Sequence, residues 1–479
     1  MHNNSLIKLL RTFTPKEITD FKYFLASPYF NKKNSVIKFY EILRKSYPEF
    51  SSEYISKKNI HESMFPGKRF NDTNLRVLVH NLYDLAKKFI AYRSFESVKF
   101  EFDFREFTGM MGKQQFSYLE KFLLRLNNEI EKENLMAEEY NFNKYRLEFE
   151  NILFLFESHT GVFERFLDRA DFDKVFHYLS SFYYLKSMRL YINILNLQLI
   201  YNKKFNTGHF EKMVSVIDKD LINENPVIEI YYIIIKLFES GSDEKNYYRI
   251  KELISKVRNR IHLSDLGEIY INLTNFCNRK INSGIMKFKK EKFELYKEEN
   301  AIKLYLVNGF MPPVYYKNLV ILALSLDEYD WVKDFISSYK SELPEDSRLN
   351  IYNYCMALYE FDMKEFDIAL DLLSKIKYDE LYLKYDSKIL QLMIYYETGS
   401  EESLLSSLEA YRHFLNNNKL LPENKKEMYS NFHKFLSRLI TLKNKKDKSE
   451  LGRLKESIHE DMKIFNKEWI IRKLDALIG

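Results

Sequence analysis

A pattern of two short amphipathic helices occurs three times between about Pro313 and Asn418. This repeat limits the possible folds more than any other feature of the 479-residue chain. Within each unit, apolar residues recur at the spacing of one helix face. Aligned on Val332, Ala369 and Leu404, the units are offset by 37 and 35 residues. Helix pairs repeated at such a period bury their apolar faces by stacking on one another. The repeat therefore predicts an all-α fold that contains an α-α solenoid.

The composition also favours helices. The chain contains 12 Gly and 9 Pro, which argues against the many tight turns of an all-β or glycine-loop-rich α/β fold. Cys277 and Cys355 lie 78 residues apart without a partner motif, so we expect neither a disulfide framework nor a cysteine-rich metal site. The N-terminal apolar patch is too short for a signal peptide, and no apolar run is long enough to span a bilayer. The sequence thus predicts a soluble, cytoplasmic protein without membrane contact.

Charge is distributed unevenly along the chain, although the net charge is only +6. Residues 1–100 contain 18 Lys and Arg against 9 Asp and Glu, whereas residues 101–312 contain 31 of each kind. Residues 313–418 contain 10 basic and 19 acidic residues, and residues 419–479 contain 15 and 9. The clearest repeat is therefore acidic and is followed by a basic tail. Such asymmetry indicates surfaces of different charge.

The domain organisation follows from helix starts and breaks. Thr14 can cap a helix that begins at Pro15, and Glu17 can return a hydrogen bond to the cap. Residues 96–112 are less periodic, so we place a boundary there. We divide the chain into a basic N-terminal helical domain (1–95), divergent helical repeats (113–312), the clearest, acidic repeats (313–418) and basic C-terminal capping helices (419–479).

The clearest repeat resembles the tetratricopeptide family, which packs two antiparallel helices through small residues twelve positions apart. Ala357 and Ala369 have that spacing, and Phe366 stands where the family favours an aromatic residue. The resemblance implies tetratricopeptide-like helix pairs. We expect Trp331 and Phe335, which share a buried stripe four residues apart, to pack in the core of the repeat. The other interpretation of Trp331 is a hot spot for a bound partner.

The whole chain also resembles a group of uncharacterised bacterial proteins. The resemblance rests on Ser27-Pro28-Tyr29-Phe30-Asn31, on Phe65-Pro66-Gly67 and on Trp331. It implies a small helical head followed by divergent helical repeats, and it implies no activity.

Catalytic and cofactor motifs are missing from the sequence. We find no phosphate-binding G-x-x-x-x-G-K-[ST] loop, no G-x-G-x-x-G, no G-x-S-x-G and no H-E-x-x-H. We therefore expect no enzymatic activity, no cofactor and no metal, although a stack of helices can assemble a site from residues far apart in sequence.

One candidate nucleic-acid site lies in the basic head. Arg76, Lys87, Lys88 and Arg93 occur on one predicted helix that follows a short helix and a turn. Such a helix can dock on phosphates. The other interpretation is a solvated basic face.

The leading hypothesis is a non-enzymatic scaffold or adaptor that binds a protein or peptide. Stacked helix pairs present a concave face, which is normally built from the first helix of each pair. Here those helices offer Asn318, Asn350, Asn353 and Lys388 as candidate contacts, and the acidic repeat favours a partner with a basic segment. The other interpretation of these four side chains is ordinary polar surface. The alternative function is that of a nucleic-acid-associated regulator that binds through the N-terminal domain.

Overall fold

The protein is all-α. The computed structural model describes residues 4–50, 55–133, 138–158, 169–201, 203–240, 244–377, 381–417, 421–445, 447–458 and 462–479. These ranges contain 24 α-helices and no strand, which confirms the predicted fold class. The first eleven helices are α1 (Ser5–Leu10), α2 (Pro15–Ala26), α3 (Asn34–Arg44), α4 (Lys57–Met64), α5 (Asp72–Ser97), α6 (Glu101–Met111), α7 (Phe116–Lys132), α8 (Glu138–Ser158), α9 (Phe172–Tyr201), α10 (Gly208–Ser215) and α11 (Lys219–Glu224). The other thirteen are α12 (Pro226–Ser240), α13 (Glu244–Val257), α14 (Leu263–Asn282), α15 (Lys287–Ala301), α16 (Pro313–Leu324), α17 (Tyr329–Ser338), α18 (Arg348–Asp362), α19 (Phe366–Ser374), α20 (Leu381–Glu397), α21 (Glu401–Asn417), α22 (Glu423–Lys445), α23 (Lys448–Glu456) and α24 (Lys467–Ile478).

The chain forms two compact units. Residues 1–187 and 217–225 form the first unit, and residues 188–216 and 226–479 form the second. The division of the chain into four segments, which rests on the sequence, stays a prediction. The two compact units do not test it.

The first unit begins with a small core enclosed by α1 to α5. Phe21 lies against Tyr40 and Phe89, with ring centroids 5.0 and 5.2 Å apart. The predicted helix start at Thr14 is confirmed, because its hydroxyl accepts from the amide of Glu17 at 3.2 Å and the Glu17 carboxylate accepts from the amide of Thr14 at 2.8 Å. This capping box starts α2 at the edge of the core.

A second core of the first unit lies among α6, α7, α8 and the beginning of α9. Residues 96–112, where we place a boundary, contain α6, because Phe104, Phe107 and Met111 share one buried helix face. The glycines of this segment do not interrupt α6, since Gly112 forms its C-cap.

The second unit contains three consecutive helix pairs that correspond to the three sequence repeats. We call α16 and α17 the first pair, α18 and α19 the second pair, and α20 and α21 the third pair. The first helix of each pair also packs against the first helix of the next. Ala357 and Ala369 are fully buried in the second pair, and one hydrophobic core extends from Phe293 to Leu474. This packing is consistent with an α-α solenoid.

Each of the three pairs turns from its first to its second helix in the same way. Asp327, Lys364 and Gly399 have left-handed φ angles of 59°, 64° and 69°. The next amide then reaches back to a helical carbonyl: Glu328 to Ala323 at 3.1 Å, Glu365 to Glu360 at 2.9 Å, and Ser400 to Tyr395 at 3.0 Å. These bonds define a Schellman motif, which ends a helix and reverses the chain. The three motifs recur at offsets of 37 and 35 residues, as the sequence repeat does.

The same turn occurs outside the clear repeat. Gln114, between α6 and α7, and Gly284, between α14 and α15, are also left-handed. The amide after Gly284 bonds to the carbonyl of Lys280 at 2.9 Å, and the amide after Gln114 bonds to that of Met110 at 3.1 Å. The turn therefore marks helix pairs whose apolar pattern has diverged.

Candidate functional site

Carboxylates collect at the three turns within the helix pairs. We call this surface the turn edge, and it comprises nine acidic residues: Asp327, Glu328, Asp330, Asp362, Glu365, Asp367, Glu397, Glu401 and Glu402. Seven of the nine are exposed, whereas Asp362 and Glu397 are half-buried. The Schellman motifs place the acids there, because each reverses the chain between the end of one helix and the start of the next.

Helix electrostatics explains part of this cluster. Asp330, Asp367 and Glu402 lie in the first turn of α17, α19 and α21, where a negative charge is favoured by the helix dipole. Asp362 and Glu397 are the last residues of α18 and α20, where the dipole opposes a negative charge. These two carboxylates therefore depend on contacts outside their own helices.

The last helix of the chain provides those contacts. Lys473 on α24 places its Nζ 2.6 Å from the Glu397 carboxylate, and the indole Nε1 of Trp469 donates to the same group at 2.8 Å. Burial raises the pKa of Asp362, and Arg472, the neighbour of Lys473, opposes that rise. Part of the charge of the acidic repeat is thus neutralised by the basic tail of the same chain.

The turns of the first and second pairs are electrostatically coupled. Burial raises the pKa of the Asp362 carboxyl to about 6; Arg472 opposes this rise and the negative charge of Asp327 adds to it. Tyr329 donates from its hydroxyl to Asp327 at 2.9 Å. A second carboxylate therefore lies close enough to Asp362 to make its ionised form costly.

The other seven acids of the turn edge carry no ion pair with a side chain in the described ranges. Their charge is exposed at three successive turns, and the residues are Asp327, Glu328, Asp330, Glu365, Asp367, Glu401 and Glu402. The edge also contains the exposed Lys364, but its acids outnumber this one lysine, so it attracts cationic groups, most strongly at low salt.

An ion pair joins two of the first helices, on whose face the sequence predicts a groove. Lys317 on α16 pairs with Asp386 on α20 at 2.5 Å, and the Tyr429 hydroxyl donates to Asp386 at 2.7 Å. The ring of Tyr354 on α18 lies 5.9 Å from the Lys317 ammonium. Sequence reasoning missed this cluster, because its members come from four helices and share no local spacing.

The four predicted groove contacts are not equivalent. Asn318 is exposed, and Asn353 and Lys388 are half-buried. Burial, together with the charge of Lys384, lowers the pKa of Lys388. The expectation that Asn350 is exposed is corrected, because its amide group donates to the Lys377 carbonyl at 2.7 Å and accepts from the Lys377 amide at 2.9 Å. Both of its polar atoms hold the segment that follows α19.

The residues of the predicted repeat packing occupy different depths. Phe335, Ala357 and Ala369 are buried, whereas Phe366 and Trp331 are half-buried. The Trp331 ring stacks on Phe335 at 4.9 Å. Trp331 therefore covers the core rather than filling it.

In the head, three of the four nucleic-acid candidates are paired with carboxylates. Arg76 lies 2.7 Å from Asp72, Lys87 lies 2.8 Å from Asp84, and Arg93 lies 3.0 Å from Asp20. Lys88 is exposed. These pairs reduce the charge that Arg76, Lys87 and Arg93 can offer to phosphates.

Comparison of the chain with known protein families, curated proteins and solved structures gives no match. The resemblances to the tetratricopeptide family and to the bacterial group therefore stay predictions.

In the described part of the chain, no set of three or more His, Cys, Asp or Glu side chains is arranged to hold a metal ion. Across the same ranges, no helix combines the length and the apolar character needed to cross a membrane.

Proposed function

We propose that the protein is a non-enzymatic scaffold whose contact surface is the turn edge and whose partner presents a basic segment. The observation that carries the proposal is the set of seven exposed acids, without ion pairs in the described ranges, on three consecutive turns. Their regular spacing comes from the repeated Schellman motif, so a partner meets the same kind of turn several times. Repetition of weak contacts along one surface raises affinity without requiring a deep pocket.

The contact made by α24 indicates the chemistry that suits this edge. Arg472 and Lys473 are adjacent in sequence and act on Asp362 and Glu397, which end the first helices of two successive pairs. A partner helix or extended segment with closely spaced Lys and Arg residues would match the neighbouring turns in the same way. We place the scaffold in the cytoplasm, an assignment that the two free, buried cysteines support.

The test uses two charge-neutralised forms of the full chain. The turn-edge variant carries Glu328→Gln, Glu365→Gln and Glu401→Gln, one change at each turn. The control variant carries Asp334→Asn, Glu345→Gln and Asp346→Asn, which remove the same charge from exposed positions of the repeat outside the turn edge. Glu328 and Glu365 make no side-chain capping bond, so we expect both variants to stay folded.

The measurement is affinity purification from the native host, followed by binding of each recovered partner to both variants at several salt concentrations. We expect the turn-edge variant to lose partners that the control retains, and the wild-type interaction to weaken as salt rises. Equal binding of a recovered partner to the wild type and to the turn-edge variant would contradict the proposal.

The alternative, a nucleic-acid-associated regulator that uses Arg76, Lys87, Lys88 and Arg93, has weaker support because three of these residues are paired. If it holds, the substitution of Lys88 alone should have a large effect on binding, since Lys88 has no ion pair among the described side chains.

A further inference from the structure

A row of five aromatic rings lies on the first unit, and three of them, Tyr29, Tyr92 and Phe102, are exposed. Its centre is the loop between α2 and α3, which contains Tyr29 and Phe30. The rings of Tyr29, Phe30, Tyr92, Phe95 and Phe102 follow one another with centroid separations of 5.1, 5.7, 6.5 and 6.3 Å. The row therefore joins the loop to α5 and to the beginning of α6. We call it the aromatic row.

The loop that carries the row is held in place. The buried amide of Asn31 donates to the Leu25 carbonyl at 3.0 Å and accepts from the Lys33 amide at 2.9 Å. Phe30 stacks on the core residue Phe24 at 4.2 Å. The exposed rings are thus presented by a fixed backbone and lose little conformational entropy when a ligand binds.

The exposure of the rings is not explained by the core of the head. Tyr29 is 87% exposed, Phe102 57% and Tyr92 41%, although Phe24 beside them is buried. Single exposed apolar residues are common on protein surfaces, but three exposed aromatic rings linked through neighbouring rings are typical of an interaction surface.

Lysines accompany the aromatic row. Lys32 and Lys33 follow Phe30 in the loop, and Lys88 precedes Tyr92 by one turn of α5; all three are exposed. Lys33 bonds to the neutral amide of Asn81 at 3.4 Å. Among the described residues none of these three lysines forms an ion pair.

The carboxylate closest to Lys88 along this part of α5 already has partners. Asp84 pairs with Lys87 at 2.8 Å and lies 3.2 Å from His80. The aromatic row is therefore bordered by three lysines without ion pairs among the described residues, and by one exposed carboxylate, Glu96, next to Phe95 in sequence.

We propose that the aromatic row binds single-stranded nucleic acid, with bases stacked on Tyr29, Tyr92 and Phe102 and phosphates near Lys32, Lys33 and Lys88. Exposed rings stack on unpaired bases of any sequence, and lysines beside them follow the backbone. A duplex does not expose its base faces, so it cannot use the rings. This inference goes beyond the proposed scaffold function and rests on different residues, so either proposal can fail without the other.

The test measures binding of the full chain to fluorescein-labelled oligothymidylate and oligouridylate of about 16 nucleotides, the upper range of a single-strand site. We expect Tyr29→Ala and Tyr92→Ala each to weaken binding about tenfold, as loss of one stacked base predicts. Tyr29→Phe keeps the ring and should bind like the wild type. Tyr23→Ala is the matched control, because Tyr23 is exposed but makes no ring contact with the row.

Salt dependence tests the lysines separately. Three phosphate contacts predict that the logarithm of affinity falls with the logarithm of salt with a slope of about −2. Lys33→Ala and Lys88→Ala should each reduce that slope by about 0.7. Because all substituted residues lie on the surface, circular dichroism and the melting temperature should match the wild type.

Three results would overturn the inference. They are the absence of oligonucleotide binding at low salt, equal losses in Tyr29→Ala and Tyr23→Ala, and binding of polyglutamate or of a duplex as tight as that of the single strand. The last result would assign the surface to acidic polymers in general, since polyglutamate has charge but no bases.

Discussion

Lys317 and Asp386 form an ion pair with an N–O distance of 2.5 Å, although 69 positions separate them in the sequence. The pair joins α16 to α20, the first helices of the first and third pairs. Asp386 is only 3% exposed, so its charge is held by Lys317 and by the hydroxyl of Tyr429. The contact ties the first helices of the first and third pairs together, next to Tyr354 on the first helix between them.

Loss of one partner of this pair should be costly. Lys317→Met leaves the buried Asp386 carboxylate without its countercharge, and we expect the free energy of unfolding to fall by about 3–5 kcal/mol. Urea denaturation measures the change. Lys375→Met is the control, because Lys375 pairs with Asp371 on the surface and should cost about 0–1 kcal/mol. Similar losses in the two variants would show that Asp386 is not buried with Lys317.

The left-handed turn residues predict a stabilising substitution. Lys364 has a φ of 64°, which costs an L-residue about 1–2 kcal/mol and glycine nothing. Lys364→Gly should therefore raise the free energy of unfolding by about 1 kcal/mol.

Two variants control for charge and for backbone. Lys364→Ala removes the same ammonium group and should bring no gain. Gly399→Ala places an L-residue in the left-handed conformation at the equivalent turn. An added Cβ there has nothing within 4 Å, so it causes no clash. The expected loss of about 1 kcal/mol in the free energy of unfolding therefore comes from the backbone conformation alone. A stabilised Lys364→Ala variant would attribute the gain to charge instead.

Asp362 should give stability a pH dependence of a defined sign. Its pKa is about 6 in the folded protein against an ordinary value of 3.8. The folded state binds the proton of Asp362 more tightly than the unfolded state does. The stability that this protonation adds is fully present below the ordinary pKa and is lost as the pH rises through about 6.

The neutral variant Asp362→Asn should therefore gain stability relative to the wild type between about pH 4 and pH 7. We expect a gain of about 1–3 kcal/mol, measured by thermal unfolding at each pH. Asp334→Asn, at an exposed position of α17, should show no comparable trend. A constant difference between Asp362→Asn and the wild type at all pH values would refute the raised pKa.

The packing of the second pair is tested by a larger side chain. Ala369→Leu adds volume at a fully buried position and should destabilise the protein by about 1–3 kcal/mol as α18 and α19 are forced apart. Ala410→Leu places the same change on an exposed face of α21 and should stay within about 0.5 kcal/mol. An unchanged melting temperature in Ala369→Leu would contradict the register of the repeat.

Several features of the fold are predictable from the sequence because they depend on neighbours along the chain. The period of the apolar residues predicts the helices of the repeat, and Thr14 and Glu17 predict the start of α2. The offsets of 37 and 35 residues recur in the hydrogen bonds of the three turns. The left-handed residue at position 364 is less predictable, since lysine carries no signal for that conformation.

The candidate site was only partly predictable. The net charge of the acidic repeat is a property of the sequence, but composition does not say which carboxylates meet. The sequence predicted basic capping helices after the acidic repeat, but it did not predict that Lys473 contacts Glu397.

What the sequence determined by itself was therefore the helical class, the repeat and its sign of charge, because periodicity, capping and charge are written in local spacing. The tertiary structure decided that Asn350 is buried, that Lys317 reaches Asp386, and that acids from three turns form one edge. These outcomes depend on how helices from distant segments pack, and burial and ion pairing are set by that packing rather than by any spacing along the chain.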